Sequence, residues 1–330
     1  MIILVLRRLL EGVLVMLVVG LIAFSMFNFL GDPVHNMAGE NTSLADRERL
    51  REDLGLNDGI VVQYARFVGN VVSGELGTSY RNQRPVLDLF KERLPATLEL
   101  TIVAAILALA IGIPMGVYTG LHRHGVLSSV FQAVSLIGIS LPTFVTGILL
   151  ILVFSVWLNV LPSFGRGPVT YVGWWSTGLF SLQGLKALIL PSITLCLFQL
   201  TLIMRLVRGE MLEVLRTDYI KFARARGLSN STVHFRHALK NTLAPVVTVV
   251  GLQIGSLIAF AIITETVFQW PGLGLLFIQA VSFGDVPVMA AYLVFIALVF
   301  VIINLIVDLV NSAVDPRIRV NKAVATGRST

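Results

Sequence analysis

Six long apolar windows in this sequence contain no Asp, Glu, Lys, Arg or His: Gly12–Leu30, Leu100–Leu121, Gly125–Gly165, Ala187–Met204, Asn241–Thr264 and Val286–Val307. A helix needs roughly 20 apolar residues to cross a bilayer, because no water there can satisfy its backbone. Five windows have about that length. The third has 41 residues, and its apolar pattern, from Ser128 to Trp157, is divided by Pro142 into pieces too short to span. The spacing therefore predicts one long helix kinked at Pro142. Six spans follow, with both termini on one side. Gly167–Leu185 is also uncharged, but its Gly, Ser, Thr and Pro residues predict a loop. Charged residues make up only 13% of the chain, which with these windows excludes a disordered chain or a pair of soluble domains. The first window follows Arg7 and Arg8, exceeds a signal-peptide core in length and lacks a small-x-small site after it, so it reads as an uncleaved anchor.

The net charge of +6 follows this topology. Arg7 and Arg8, Arg123, the tail (Arg317, Arg319, Lys322, Arg328) and the segment Arg205–Lys240, with eight basic against three acidic residues, share one side in a six-span chain. The positive-inside rule makes that side cytoplasmic. The loop Glu265–Asp285 has no Lys or Arg and is external. Trp157, Trp174, Trp175 and Trp270 fall at external span ends or in external loops, where indole rings favour the membrane interface. The excess charge is thus topological, and no nucleic-acid partner is expected.

The pattern divides the chain into an N-terminal end and first span (1–30), an external amphipathic cap (31–96), a five-helix core (97–312) with a cytoplasmic loop (205–245), and a cytoplasmic tail (313–330). In the cap, Ser43–Leu54 reads as a polar helix with Ser43 as N-cap and Gly55 as stop. Ile60, Tyr64, Phe67, Val68, Val71 and Val72 form a helical stripe, ending at Gly74, that suits a membrane face. In the cytoplasmic loop, a helix continues outward over Arg208–Tyr219, and Tyr219–Arg226 is a short basic helix with aromatics at Tyr219 and Phe222. Gly227 can stop it in the left-handed conformation, and Asn230 or Ser231 can cap the next helix. Such an elbow fits either anionic lipid headgroups or the groove of a partner protein, where aromatic and Arg anchors dominate. Charge alone leaves both open.

The chemistry is sparse. The chain lacks G-x-x-x-x-G-K-[ST] and has no Gly-Lys pair, so it carries no Walker-type phosphate cradle. The windows hold no ionisable group of the kind that proton-driven carriers use. All five histidines (His35, His122, His124, His234, His237) lie outside them. That leaves a Ser-His intramembrane hydrolase unsupported, and neither local His pair has a third metal ligand nearby. The single Cys196 sits in an apolar run, so no disulfide framework or Cys-based metal site is expected. No catalytic residue and no metal site are assigned. Ser140, Thr143, Gln199 and Gln253, with Ser256 and other uncharged polar groups, suit either a permissive translocation path or interhelical hydrogen bonds. Gly112, Gly116, Gly251 and Gly255 suit close helix approach. Glu265 and Asp285 suit docking of an external protein or anchoring at the interface.

One pattern in the loop is more specific: Tyr219-Ile220-x-x-Ala223-Arg224-Ala225-Arg226-Gly227-Leu228, then His237-Ala238-Leu239-Lys240-Asn241 and Pro245. With Gly31-Asp32-Pro33, Gly74-Glu75-Leu76-Gly77-Thr78-Ser79, Arg93-Leu94-Pro95-Ala96-Thr97-Leu98-Glu99-Leu100, Ser140-Leu141-Pro142-Thr143-Phe144, Thr264-Glu265-Thr266-Val267-Phe268, Trp270-Pro271-Gly272-Leu273-Gly274 and Asp315-Pro316-Arg317-Ile318-Arg319, it resembles the binding-protein-dependent ABC importer permeases. More narrowly, it resembles the first permease of the dipeptide/oligopeptide/nickel branch. The broader signature has Glu-Ala-Ala where this chain has Lys221, Phe222 and Ala223, a departure that suits the peptide branch and leaves no basis for a salt bridge from that glutamate.

The resemblance implies an all-α integral membrane protein of the type I importer fold, with an external helical insertion after the first span, in the bacterial inner membrane. It implies four partners: a second homologous permease, two ATPase subunits that bind ATP and Mg, and an external solute-binding protein. The chain itself, bathed in membrane lipid, holds no cofactor and is a transport subunit rather than an enzyme. Tyr219, Phe222, Ala223, Arg224, Ala225, Arg226 and Gly227 become the ATPase-coupling residues and a peptide the expected cargo. A stand-alone carrier or channel, or the same role for nickel, glutathione, an opine or a sugar, are the alternatives.

Overall fold

A computed structural model describes residues 2–29 and 57–314 of the chain and a few positions between 43 and 52. The motifs Gly31-Asp32-Pro33 and Asp315–Arg319, the tail, and most of the Ser43–Leu54 segment lie outside the described residues. The elements, in order, begin with α1 (Ile2–Phe29), α2 (Ile60–Ser73), α3 (Val86–Leu121), α4 (Val126–Ser140) and α5 (Thr143–Leu150). The last continues as a π-helical turn, Ile151–Trp157. A hairpin of β1 (Thr170–Val172) and β2 (Trp175–Thr177) follows, then α6 (Leu182–Val214), α7 (Asp218–Ala225), α8 (Leu239–Val267), α9 (Leu273–Phe283) and α10 (Val286–Val314). Among the described residues, α1, α3, α6, α8 and α10 each contain a span long and apolar enough to cross a membrane.

The third window breaks rather than kinks. Helices α4 and α5 meet at 110°, because Pro142 supplies no N–H and drives Leu141 before it out of helical geometry. Pro142 instead heads α5, its carbonyl accepting from Thr146 at 3.1 Å. The pair still traverses the bundle. At its start, the Ser128 hydroxyl donates to the His122 carbonyl at the end of α3. Beyond its far end, Arg166 pairs with Glu99, about 33 Å back along α3 at 1.5 Å per residue. Six crossings result. Arg8 pairs with Asp308, so the first and last helices lie side by side with their terminal ends together.

The most extensive helix pair is α3 on α6, and its seam is glycine. Gly112, Gly116 and Gly120 recur every four residues and so share one face of α3. A Cβ at Gly112 would meet the Leu200 carbonyl at 3.0 Å, one at Gly116 the Met204 carbonyl at 2.8 Å, and one at Gly120 the Met211 side chain at 2.9 Å. Without water-driven hydrophobic association between membrane helices, such close backbone approach supplies the packing. Gly251 and Gly255 of α8 receive Val307 and Phe300 of α10 in the same way.

Helix α3 has 36 residues, more than a bilayer needs, and its N-terminal part organises the segments around it. Buried Glu99 accepts from Arg166 and from the Gly178 backbone N–H at 3.1 Å, while Arg166 also donates to Ser176 Oγ at 2.9 Å. This pins the hairpin, where a loop was predicted. In the cap, Tyr64 and Phe67 meet Phe24 of α1 with ring centroids 5.6 and 6.0 Å apart, and the Tyr64 hydroxyl donates to the Leu17 carbonyl at 2.6 Å. Tyr64, Phe67, Val68 and Val71 are half-buried, but Ile60 and Val72 stay exposed. The cap thus leans on the first span with part of its predicted stripe.

Gly116→Ala is expected to destabilise the protein by about 1–3 kcal/mol, because the Met204 carbonyl cannot yield to a Cβ. Gly69→Ala on α2, where a Cβ meets nothing within 4 Å, is expected to be neutral or stabilising. Thermal unfolding of the two purified variants checks this, and equal effects would contradict the glycine seam.

Candidate functional site

The basic loop 205–245 folds as a helix, turn, helix and second turn. α6 ends at Val214, earlier than the predicted continuation to Tyr219, and Thr217 closes the turn by donating its hydroxyl to the Val214 carbonyl at 2.6 Å. The eight-residue α7 follows. Its Ile220 and Ala223 are buried in the same apolar cluster as Val207 and Met211 of α6 and Val233 and Ala238 before α8. Its other face presents Tyr219, Lys221, Phe222, Arg224, Ala225 and Arg226, with Phe222 64% exposed. Ala223, grouped with the docking residues in the sequence, therefore points inward. Ile220, which that grouping omitted, is the buried anchor; the i,i+3 spacing of Ile220 and Ala223 is the signal for it.

Both ends of the elbow are secured. Gly227 takes φ +77°, the left-handed region. The Leu228 N–H returns to the Ala223 carbonyl at 3.4 Å and the Gly227 N–H to the Arg224 carbonyl at 2.9 Å. The next helix is capped by Ser229 rather than Asn230 or Ser231, its hydroxyl accepting from the Thr232 N–H at 3.3 Å. Asn241, near the start of α8, donates to the Tyr219 hydroxyl at 2.7 Å. Lys221 donates to Asp218 at 2.9 Å and holds that carboxyl below its ordinary pKa. Burial, then Arg224 and His122 nearby, push the His234 imidazole below its ordinary value. The positive charge of the exposed face comes from Arg224 and Arg226, the latter lying over the Phe222 ring at 5.8 Å.

Of the predicted path residues, the structure brings three together. Ser140, Thr143 and Gln199 line one cavity of about 310 Å³ with Ser256, Phe198 and Phe260. Gln253 does not line it; its amide oxygen accepts from the Ser256 hydroxyl at 2.9 Å.

Glu265 and Asp285 are not presented to an external protein. Both are buried, at 0% and 1% exposure. Glu265 accepts from the Thr97 hydroxyl at 2.6 Å and the Leu275 N–H at 2.9 Å, tying α8 to α3 and α9. A Cβ at Gly272 would strike the Glu265 carboxylate, and one at Gly274 would come within 3.0 Å of it. Asp285 accepts from the Ser79 hydroxyl at 2.5 Å and the Tyr80 N–H at 3.1 Å, fixing the turn before α3. A buried carboxylate needs donors, and these two are consumed by the fold. Trp270 likewise is no interface anchor: fully buried, it donates from Nε1 to the Ala96 carbonyl at 2.9 Å.

Residues 112–320 match the family described as binding-protein-dependent transport system inner membrane component, and residues 1–101 match its N-terminal counterpart. The dipeptide transport system permease protein DppB of Escherichia coli K12 is 39% identical, with 96% of this chain and 99% of that protein covered. Its namesake from Alkalihalophilus pseudofirmus is 37% identical, with 95% and 98% covered. The probable D,D-dipeptide permease DdpB of Escherichia coli K12 is 39% identical over 87% of this chain and 88% of its own length. In fold, the chain is similar to a chain of the inward-facing MetNI methionine ABC transporter, with a TM-score of 0.55 at 22% identity, covering 69% of this chain and 96% of that one. With its membrane helices, glycine seam and basic elbow, the chain belongs to the binding-protein-dependent inner membrane components, the permease subunits of ABC importers.

Proposed function

We propose that this permease moves di- or oligopeptides inward across the bacterial inner membrane, with both its termini in the cytoplasm. A second homologous permease completes the passage, two ATPase subunits holding ATP and Mg bind beneath, and an external solute-binding protein delivers the peptide. The peptide cargo is supported by relatives of about this length named for dipeptide transport. The orientation is supported by the basic residues of the elbow and by the Arg8–Asp308 pair joining the two terminal helices.

The two-faced α7 carries this reading. One face exposes Tyr219 and Phe222 with the Arg224 and Arg226 charges, the chemistry of an anchor in a protein cleft. The opposite face, Ile220 and Ala223, is continuous with the apolar core around α6. Closure of the ATPase pair on binding ATP would push α7. Ile220 passes that push to α6, and the Asn241–Tyr219 hydrogen bond passes it to α8. The substrate side of the bundle then opens or closes without any Asp, Glu, Lys, Arg or His in the six apolar windows.

Phe222→Ala is expected to leave the fold within about 0.5 kcal/mol of wild type, since the ring is exposed, but to lose the co-purifying ATPase subunits. Retention of the ATPases with reduced binding to anionic vesicles would favour the lipid reading of the elbow instead. For Gly227→Val, no atom lies within 4 Å of the added Cβ, so the cost is the strained φ alone, about 1–2 kcal/mol. The variant is expected to insert normally while peptide uptake falls about tenfold or more, as a misaligned α7 loses at least ~1.4 kcal/mol of docking. Wild-type uptake in this variant would contradict the coupling role.

A further inference from the structure

The cavity lined by Ser140, Thr143, Gln199 and Ser256 lies at mid-depth. Gln199 is near the middle of the 33-residue α6, Ser256 is central in the span Pro245–Val267, and Ser140 and Thr143 flank the break between α4 and α5. Irregular backbone at this depth is tolerated only where protein buries it or where it lines a wet cavity. Here Ser140, Leu141 and Pro142 are exposed on this chain, so the break faces a wet cavity or a partner protein rather than lipid.

A second feature marks the same place. Gln199 is 3% exposed, and its Nε2 has no hydrogen-bond partner among the described residues. A buried amide donor left bare carries a full desolvation penalty; Gln199 Nε2 is enclosed in this structure, so it meets an acceptor when its side chain turns into the cavity that the residue lines. The Ser256 hydroxyl is already committed, donating to Gln253 at 2.7 and 2.9 Å. That fixes the opposite wall and leaves Gln199 as the buried donor there. The walls are uncharged, and Phe198 and Phe260 make them largely apolar.

We infer that this cavity is a mid-membrane station at which Gln199 Nε2 donates a hydrogen bond to a main-chain carbonyl of the peptide in transit. Ser140 and Thr143 flank the path, and the phenylalanines receive side chains of any kind. The inference rests on the peptide reading above. A carbonyl is the acceptor that every peptide shares, and an uncharged station grips neither terminus strongly enough to trap it. The station thus serves a permease whose discrimination among peptides resides in its binding protein.

The test uses the assembled complex, with its binding protein, in proteoliposomes. Uptake of a dipeptide is compared with that of its thioamide analogue, whose C=S is a weaker acceptor, each at equal occupancy of the binding protein. The wild-type complex is expected to prefer the oxo-peptide, and Gln199→Met, close in volume and without a donor, to lower that preference by up to about fivefold, the worth of one ordinary hydrogen bond. Because one binding protein delivers both substrates, the change in preference belongs to the permease. An unchanged preference overturns the station while leaving the peptide reading intact. Failure of the wild-type complex to import any peptide overturns the peptide reading and the station with it. If Gln199→Met does not assemble, Ser140→Cys in a Cys196→Ala background decides. A charged, water-soluble thiol reagent is expected to modify it and block uptake, with transported peptide slowing the reaction; no modification overturns the passage.

Discussion

The close approach of α3 and α6 along Gly112, Gly116 and Gly120 is the constraint on which the rest of the molecule depends. The buried rim contacts and the elbow are attached to opposite ends of this pair, and the Gln199 cavity to its middle. At one end, α3 supplies Glu99 to Arg166, Thr97 to Glu265 and the Ala96 carbonyl to Trp270. At the other end, α6 runs through Met211, which takes a hydrogen bond from Thr242 of α8 at 3.2 Å, into the turn that launches α7. A seam of backbone against backbone cannot be deformed gradually, so force applied at α7 is expected to move the pair as a body.

This arrangement explains where charge is and is not found. The span interiors carry uncharged polar groups, in keeping with a subunit whose energy comes from elsewhere. The buried charged groups sit at one rim and each has a partner: Arg166 with Glu99, Glu265 with Thr97 and Leu275, Asp285 with Ser79 and Tyr80. Removing one partner of a buried pair costs far more than the pair contributes, so these contacts lock the outer surface into one arrangement. The exposed Arg224 and Arg226 give the elbow its positive face, where the chain is expected to meet another protein.

Much of this was legible in the sequence where the signal is local. Charge-free windows marked the spans, Gly112 and Gly116 marked a close helix approach, and Gly227 after a basic helix marked the left-handed stop. Local patterns fail where a residue's partner is distant. Glu99 and Arg166 are 67 positions apart, and Thr97 and Glu265 are 168 apart; no periodicity links such pairs, so Glu265 and Asp285 read as surface charges and Trp270 as an interface ring. Pro142 signalled a bend but not its size, which depends on what packs against α4 and α5. Ser140, Thr143 and Gln199 were recognisable as polar, but only the fold gathers them with Ser256 in one cavity.

The central claim is that the elbow and the α3–α6 pair form one rigid unit. The direct measurement is a spin-label distance in the assembled complex between Lys91, at the outer start of α3, and Arg224 on α7, recorded with and without ATP. A rigid unit predicts a constant distance within this chain while the corresponding distance to the second permease changes. A distance between Lys91 and Arg224 that shifts with ATP would show that α7 swings independently of the spans, and would contradict the account.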